Sequence, residues 1–579
     1  GISLSASVLS LLFLCSLQAA HASENKICEG VVVMDGSIRL NGNEKVLVCG
    51  SSDGPEAWRV VPLPQAELHL KAILQNLGYL SPKFKIDGGR LSIWLGRLSE
   101  IKQLNIEGAN GILESSQKRN VIGEALTPVK LDEIEAWINL SVRSQGYACP
   151  RMKVAAQGWD GIVNIKVSLG ERKKISRVTC EGLDGLKPSV LDRYRPFEIG
   201  DTYDIRKTQI MIDRLLANGL FQSAFFEVSC DRDEAFLDLM ISVGKPKIIR
   251  FGVGASTEEL PFADLTLRNT RLDNKASSVT TSLHVSPRLL SFVAESELYL
   301  FPGWNKTFFG PRFRMAREME SSFQTDAVRI GADIGIKWDH WNTRFLGRWG
   351  PGFNVVKTTR GIGPDSSYPV IDASLIAISH SYESQVWQQY QGWNGSIFFR
   401  GQRKGLGSLI DLNRYEVNYK YLWNIGRYAP PLFVLGTRVQ GILVDAAELS
   451  DEVTTSLISS EDRVFVGGDQ NLRGFSRKSI DNQGRGFLNF LYLGFELRLV
   501  EELPYRLQPF VLLDFGKVGS RRYVLDPPIF SSEGVGLRWL SPFGTFRGSV
   551  ARGRVLREQD SEISYPQQWV YFLSFGQEF

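Results

Sequence analysis

The residues with the clearest chemical purpose lie in one stretch, Arg463 to Ser479, RVFVGGDQNLRGFSRKS. It holds a Gly467-Gly468-Asp469 turn and then Leu472-Arg473-Gly474-Phe475. Arginine makes paired, charge-assisted hydrogen bonds to carboxylates, the strongest bonds open to a loop side chain. Two downstream carboxylates are placed to receive Arg473. Glu496 shares a strand face with Gly494 and Arg498, while Phe495 and Leu497 point the other way; Asp514 is opposite in parity to Leu513 and Phe515. Both acids thus fall on the polar faces of alternating strands. Gly474 lets the backbone turn beside Arg473, and Gly467-Gly468-Asp469 shapes the loop's approach. Taken alone, Arg473 reads as an exposed loop arginine; the surrounding segments argue for docking.

Other chemistry is poorly supported. The chain has no His-Glu-x-x-His and no phosphate loop. His69, His284, His340 and His380 are scattered without ligand spacing. The expectation is a non-enzyme with no cofactor and no metal. Composition is ordinary, with 43% apolar and 22% charged residues in 579. A net charge of +4 is small for this length, so no nucleic acid partner is expected. Past the N-terminus no run reaches the ~18 apolar residues of a spanning helix. Membrane strands remain open, because each is only ~10 residues long.

Residues 5–20 form an apolar run followed by Ala20-His21-Ala22, so residues 1–22 read as a signal peptide. The remaining cysteines are Cys28, Cys49, Cys149, Cys180 and Cys230. Export permits disulfides. Cys180 and Cys230 each end a predicted strand of one repeat unit, so that pair is expected, stabilising by about 4 kcal/mol on the loop-entropy estimate. Cys28 with Cys49 is a weaker expectation, and Cys149 is left over. The alternative is that all five are reduced core residues.

The elements that must carry these residues fall into two halves. The first half repeats. Gly78–Ile86 (GYLSPKFKI) matches Gly146–Val154 (GYACPRMKV), and Gly219–Val228 (GLFQSAFFEV) is a looser copy. Each follows a helical pattern: Leu70, Ile73, Leu74 and Leu77; Leu131, Ile134, Ile138 and Val142; Ile205, Ile212, Leu215 and Leu216. Each is followed by two short strands closing on Gly96, Gly170 or Gly244, at equal steps of 74 residues. A fixed period of this length signals an array of small domains. The pattern of strand, helical material and two strands resembles POTRA domains, the periplasmic polypeptide-transport modules. The resemblance implies three α+β units, 23–96, 97–170 and 171–246, whose sheet edges pair with client strands.

From about Pro246 the helical period gives way to alternation. Val328, Ile330, Ala332, Ile334 and Ile336 alternate with Arg329, Gly331, Asp333 and Gly335; Tyr415, Val417, Tyr419 and Tyr421 alternate with Glu416, Asn418 and Lys420. Lipid outside and water inside a barrel fit this better than a soluble sandwich. Residues 247–579 hold about 16 antiparallel strands at roughly 20 residues each. Closure joins the first strand, near Ile249–Thr257, to the last, Trp569–Phe579. Gly252 and Gly254 in the first, and Gly576 in the last, weaken this seam or relieve crowding there; the sequence favours neither reading. Tyr571, Leu573, Phe575 and terminal Phe579 look like the C-terminal signal by which outer-membrane proteins are recognised for insertion.

VGGDQNLRGF resembles the loop motif of the BamA/TamA-type outer-membrane assembly superfamily. Gly494–Arg498, Asp514-Phe515-Gly516 and Gly534–Trp539 resemble that family's last strands, in the family's order. Three POTRA units before one barrel resemble its TamA-type branch. The resemblance implies that Arg473 enters the lumen and binds Glu496 and Asp514. It also implies a bacterial outer-membrane protein with its N-terminal units in the periplasm. Its partners would be unfolded outer-membrane clients, outer-membrane lipid and a TamB-like inner-membrane-anchored protein. The expected function is insertion or secretion of β-barrel and autotransporter-type clients through the seam. The alternative is a two-partner-secretion-type pore exporting one dedicated protein through its lumen.

Overall fold

The computed structural model describes residues 26–51, 59–109, 111–113, 121–157, 160–301, 303–384, 390–426, 431–446, 456–500, 503–541, 544–556 and 568–575. The expected signal peptide, Gly576 and Phe579 lie outside the described residues.

The N-terminal half holds three small sheets. The first contains β1 (Lys26–Cys28), β2 (Val31–Val33), β3 (Lys83–Asp87) and β4 (Arg90–Trp94), in the order β1-β2-β4-β3. It carries helices α1 (Gly42–Cys49) and α2 (Leu63–Asn76). Asn41 and Glu44 cap α1 reciprocally, each side chain accepting the other's backbone N–H, at 2.9 and 2.8 Å. Ala66, Leu70, Ile73 and Leu74 of α2 form a core with Val31, Val33, Leu91 and Ile93. Leu77, expected on that face, caps the helix and is largely exposed.

The second sheet contains β5 (Gln103–Glu107), β6 (Arg151–Gln157) and β7 (Ile162–Ser168), in the order β5-β7-β6. Helix α3 (Pro128–Arg143) is capped by Thr127, which accepts the Lys130 N–H at 3.1 Å, and buries Ile134, Ile138 and Val142. The third contains β8 (Lys174–Glu181), β9 (Phe221–Asp231) and β10 (Glu234–Val243), in the order β8-β10-β9, with α4 (Ile205–Ala217). In each unit the last strand is central, and the strand following the recurring glycine segment forms an edge.

That strand order corrects the expected Cys180–Cys230 pair. Cys180 is on β8 and Cys230 on β9, with β10 between them. Two strand spacings are roughly 10 Å, beyond the reach of a disulfide. Cys230 instead bonds Cys149, with Cα atoms 6.4 Å apart, and Cys28 bonds Cys49 at 5.9 Å. Cys180 is a free thiol, pushed up to about 11 by burial. The buried face of α4 is also shifted from its expected position. It comprises Thr208, Ile210, Met211, Arg214 and Leu215, while Leu216 is exposed. Arg214 belongs there because its guanidinium meets Asp339 at 3.1 Å, with both side chains sealed from solvent.

The C-terminal half is a closed antiparallel barrel of sixteen strands in sequence order. They are β11 (Lys247–Ser256), β12 (Leu260–Asn269), β13 (Ser278–Val285), β14 (Leu289–Glu297), β15 (Thr307–Met319), β16 (Gln324–His340), β17 (Thr343–Arg360) and β18 (Ser366–Ser379). Then come β19 (Gly392–Gln402), β20 (Leu412–Ile425), β21 (Phe433–Ala446), β22 (Asn489–Leu499), β23 (Leu507–Gly519), β24 (Phe530–Ser541), β25 (Gly544–Val555) and β26 (Gln568–Phe575). Alternation dictates the two faces. Ile330, Ile334 and Ile336 of β16 and Tyr415, Val417 and Tyr421 of β20 are exposed outside, while Arg329 and Asp333 are buried inside. An apolar exterior around a polar interior is the arrangement of a membrane barrel. Closure satisfies the ladder bonds that hydrocarbon would leave unpaired.

Candidate functional site

Residues 456–488, between β21 and β22, fold into the lumen. The segment builds its own frame first. Val464 bridges Phe487, and Val466 bridges Ile480. Asn471 accepts the N–H groups of Gly467 and Leu472 at 2.9 and 2.8 Å. Gly467 and Gly468 take φ of 112° and 106°, values open to glycine but strained for other residues. Val464, Val466, Leu472, Phe475 and Ile480 then pack with Leu412, Val444, Phe490 and Phe530 of the wall in one apolar cluster.

Arg473 projects from this frame onto both expected carboxylates. Its Nε and Nη2 donate to Asp514 at 3.0 and 2.7 Å, and its Nη1 to Glu496 at 2.5 Å. Its backbone N–H also reaches Asp514, at 3.1 Å. Tyr492 donates to Asp514 at 3.0 Å. Arg498 holds the other oxygen of Glu496 at 2.7 Å. Arg547 grips both oxygens of Asp469 at 3.0 Å and Glu496 at 3.2 Å. Arg473, Arg498 and Arg547 thus pair with Glu496, Asp514 and Asp469, all of them buried, and the buried Arg438 stands beside them against the Asp469 carbonyl. Burial this deep makes each pair costly to break from one side, by about 3–5 kcal/mol.

Each motif position has a structural reason. Gly474 donates its N–H to Ser532 at 2.9 Å, and its backbone lies against that of β25. Leu472 fills the space left by Gly516, and Phe475 meets Phe530 edge-on at 5.7 Å. A Cβ at Gly468 would stand 2.6 Å from the Glu258 carboxylate.

Sequence reasoning missed several members. Tyr492 shares the inward parity of Glu496, and Arg547 faces the same lumen from β25; that parity was the available signal. Glu461 and Asp462, just before the motif, anchor the loop's other side. Glu461 pairs with Arg329 at 2.8 Å, while Asp462 accepts from Gln402 and Tyr368 at 2.9 and 3.2 Å. No local pattern marked them.

Among the described residues, the expected seam joins β11 to β26 through Ala255↔Phe575 and Ser256↔Ser574, extended by Thr257 N–H to Leu573 O at 2.9 Å. By contrast, β11 pairs with β12 along its whole length. The two described seam glycines differ. A Cβ on Gly254 would come within 2.7 Å of the Phe575 oxygen and 2.3 Å of the Phe262 ring, so this glycine relieves crowding. Among the described residues, a Cβ on Gly252 would meet nothing nearer than the Asp264 Cβ at 3.9 Å. Tyr571 and Leu573 point outward and are exposed, and Phe575 packs on Phe546 at 4.5 Å. An apolar cleft of about 750 Å³ flanks this joint, walled by Leu260, Pro261, Trp539, Phe546, Leu573 and Phe575.

Several solved structures are similar to this chain. BamA from Haemophilus ducreyi lacking POTRA domains 1–3 aligns at 13% identity over 83% of this chain and 99% of that one, with a TM-score of 0.49. CdiB from Acinetobacter baumannii aligns at 13% identity over 83% of this chain and 89% of that one, with a TM-score of 0.47. The N-terminal domain of Omp85 from the thermophilic cyanobacterium Thermosynechococcus elongatus aligns at 18% identity over 37% of this chain and 96% of that one, with a TM-score of 0.20. The inserted loop, Arg473 and both of its carboxylate partners all fall within residues 389–579, which match the Omp85 superfamily domain.

Proposed function

We propose that this chain is an outer-membrane assembly factor that inserts or secretes β-barrel and autotransporter-type clients through the β11–β26 seam. The observation that carries this reading is the described end of that joint, where Ala255 and Ser256 pair with Phe575 and Ser574 beside an apolar cleft walled by Leu260, Trp539, Phe546 and Leu573. Parting these pairs exposes backbone donors and acceptors to which an extended client strand adds by β-augmentation, with little dependence on client sequence. In hydrocarbon each unpaired group costs several kcal/mol, so an incoming strand is held there without any nucleotide. The reading is non-enzymatic, with the N-terminal units in the periplasm delivering clients. Three such units before one barrel support a TamA-type assignment, with a TamB-like inner-membrane-anchored partner.

Export of a dedicated protein through the lumen is the competing reading. The seated loop 456–488 stands against it, because the lumen it occupies would have to be cleared. The test is a disulfide between Ala255→Cys and Phe575→Cys, which are direct register partners. Loss of client insertion in the oxidised form, restored by reductant, supports the seam. Undiminished insertion with the joint locked overturns it.

A further inference from the structure

The turn between β11 and β12 is only three residues long, Thr257-Glu258-Glu259, and it holds two parts of the molecule at once. Thr257 donates its N–H to Leu573 O at 2.9 Å, and its hydroxyl accepts the Leu573 N–H at 3.3 Å. These bonds continue the seam past its last register pair. Glu258 turns the other way, accepting the N–H of Asp469 in the inserted loop at 2.8 Å. Glu259 faces Arg477 of the same loop at 3.4 Å, and its own N–H is held by Ser256 at 2.9 Å. The loop side of this contact is itself well anchored. Arg477 also binds Glu320 at 2.8 Å, and Asp469 is gripped by Arg547.

We infer that Thr257-Glu258-Glu259 is a coupling joint, through which the seating of the Arg473 loop in the lumen sets the strength of the β11–β26 seam. Three consecutive residues cannot move independently. A hairpin pulled toward the lumen by Glu258 and Glu259 carries Thr257 with it and so fixes its register against Leu573. Gly468 fits this role: its missing side chain is the space that the Glu258 carboxylate occupies. Asp469 joins the two ends of the device. Its N–H serves Glu258, while its carboxylate serves Arg547, which also holds the Arg473 partner Glu496. Release of Arg473 is thereby transmitted through Arg547 and Asp469 to the turn. Glu258 and Glu259 are positioning residues, acting on the seam through the backbone they anchor.

This inference rests on the seam being the working site, but its test does not depend on client insertion. Amide hydrogen–deuterium exchange of the folded full-length protein in lipid nanodiscs reads seam and loop separately. Arg473→Ala is expected to speed exchange at Thr257 and Leu573 by about tenfold, the size of a typical coupling between linked sites. Glu258→Ala with Glu259→Ala is expected to produce the same rise, and to loosen the amides of Gly468 and Asp469. Combining all three substitutions should add little, because each severs the same linkage. Glu258→Gln, which retains an accepting oxygen, should leave seam exchange near the wild-type rate and guards against a general folding defect. Unchanged seam exchange in Arg473→Ala, or fully additive effects in the combined variant, would overturn the coupling. Normal exchange coupling with failed client insertion would instead refute the functional reading and leave the joint standing.

Discussion

Gly474 and Gly553 meet backbone to backbone. A Cβ on Gly474 would lie 2.5 Å from the Gly553 nitrogen, and one on Gly553 would lie 2.4 Å from the Gly474 oxygen. Neither neighbour can yield, because one belongs to the barrel wall and the other to the seated loop. Alanine at either position is therefore expected to lift the loop from β25, with a penalty of about 1–3 kcal/mol, as for overpacking. Limited proteolysis of residues 456–488 should become faster in both variants. Equal protection in wild type and Gly553→Ala would contradict the close approach.

Arg473→Ala removes the only guanidinium bonded directly to Asp514 among the described contacts, leaving it with Tyr492 and the position-473 backbone N–H, whereas Glu496 keeps Arg498 and Arg547. A loss of about 3–5 kcal/mol is expected, the cost of orphaning a buried charge. Arg473→Lys should fall between, because it restores the charge without the fork. Pairing Arg473→Ala with Asp514→Asn should recover part of the loss. Heat-induced unfolding in detergent, followed by gel mobility, ranks the variants. A rank order with lysine no better than alanine would refute the charge argument.

Glu258 brings a pH dependence to the loop contact. Burial pushes its carboxyl up to about 7; the Asp469 carboxylate adds to the rise, while the Asp469 N–H, Arg477 and Arg288 oppose it. A released turn would ionise near the ordinary value of about 4.3. Between these values the released form loses its proton while the seated form keeps it, so seating weakens as pH rises from about 4.5 to 7 and is weakest above 7. Loop protection should be greater at pH 5 than at pH 8, and Glu258→Gln should flatten the difference. A wild-type profile identical to that of Glu258→Gln would exclude this titration.

Thiol labelling of the unfolded, unreduced protein, after removal of residues 1–22, should modify Cys180 alone. Cys149→Ser should expose Cys230 as a second site, whereas Cys180→Ser should abolish labelling. The disulfide that Cys149→Ser breaks closes 81 residues, for which loop entropy suggests about 4.5 kcal/mol. Labelling of Cys149 in the wild-type protein would restore the Cys180–Cys230 pairing.

At the junction of the third unit with the barrel, Asp339→Ala would leave the sealed guanidinium of Arg214 uncompensated. Desolvation already lowers the Arg214 pKa, and Asp339 is the main charge opposing that shift. A destabilisation of about 3–5 kcal/mol is expected. Replacing the pair with Arg214→Met and Asp339→Leu should be far milder in thermal unfolding.

The parts of this architecture readable in the residues were those with a short period. Ile330, Ile334 and Ile336 against Arg329 and Asp333 declare two faces of a strand, because side chains alternate every second residue. The same parity pointed Glu496 and Asp514 inward, toward Arg473. What needed sheet order was hidden. Cys230 has Cys149 as its neighbour because β10 intervenes between β8 and β9, an arrangement that no spacing reveals. Arg214 escaped because a buried cation interrupts the apolar stripe by which a helix face is recognised. Glu461 and Asp462 look like any polar loop pair until Arg329, Gln402 and Tyr368 are brought to them from distant strands.

The closing joint of the wall ties Thr257 to Leu573, 316 residues apart. Each other neighbouring pair of strands can zip as the chain emerges, but this one must wait for the final strand to exist. The ring is therefore an open ribbon for most of its own assembly, with a long unpaired margin that this molecule must itself survive before it can serve anything else.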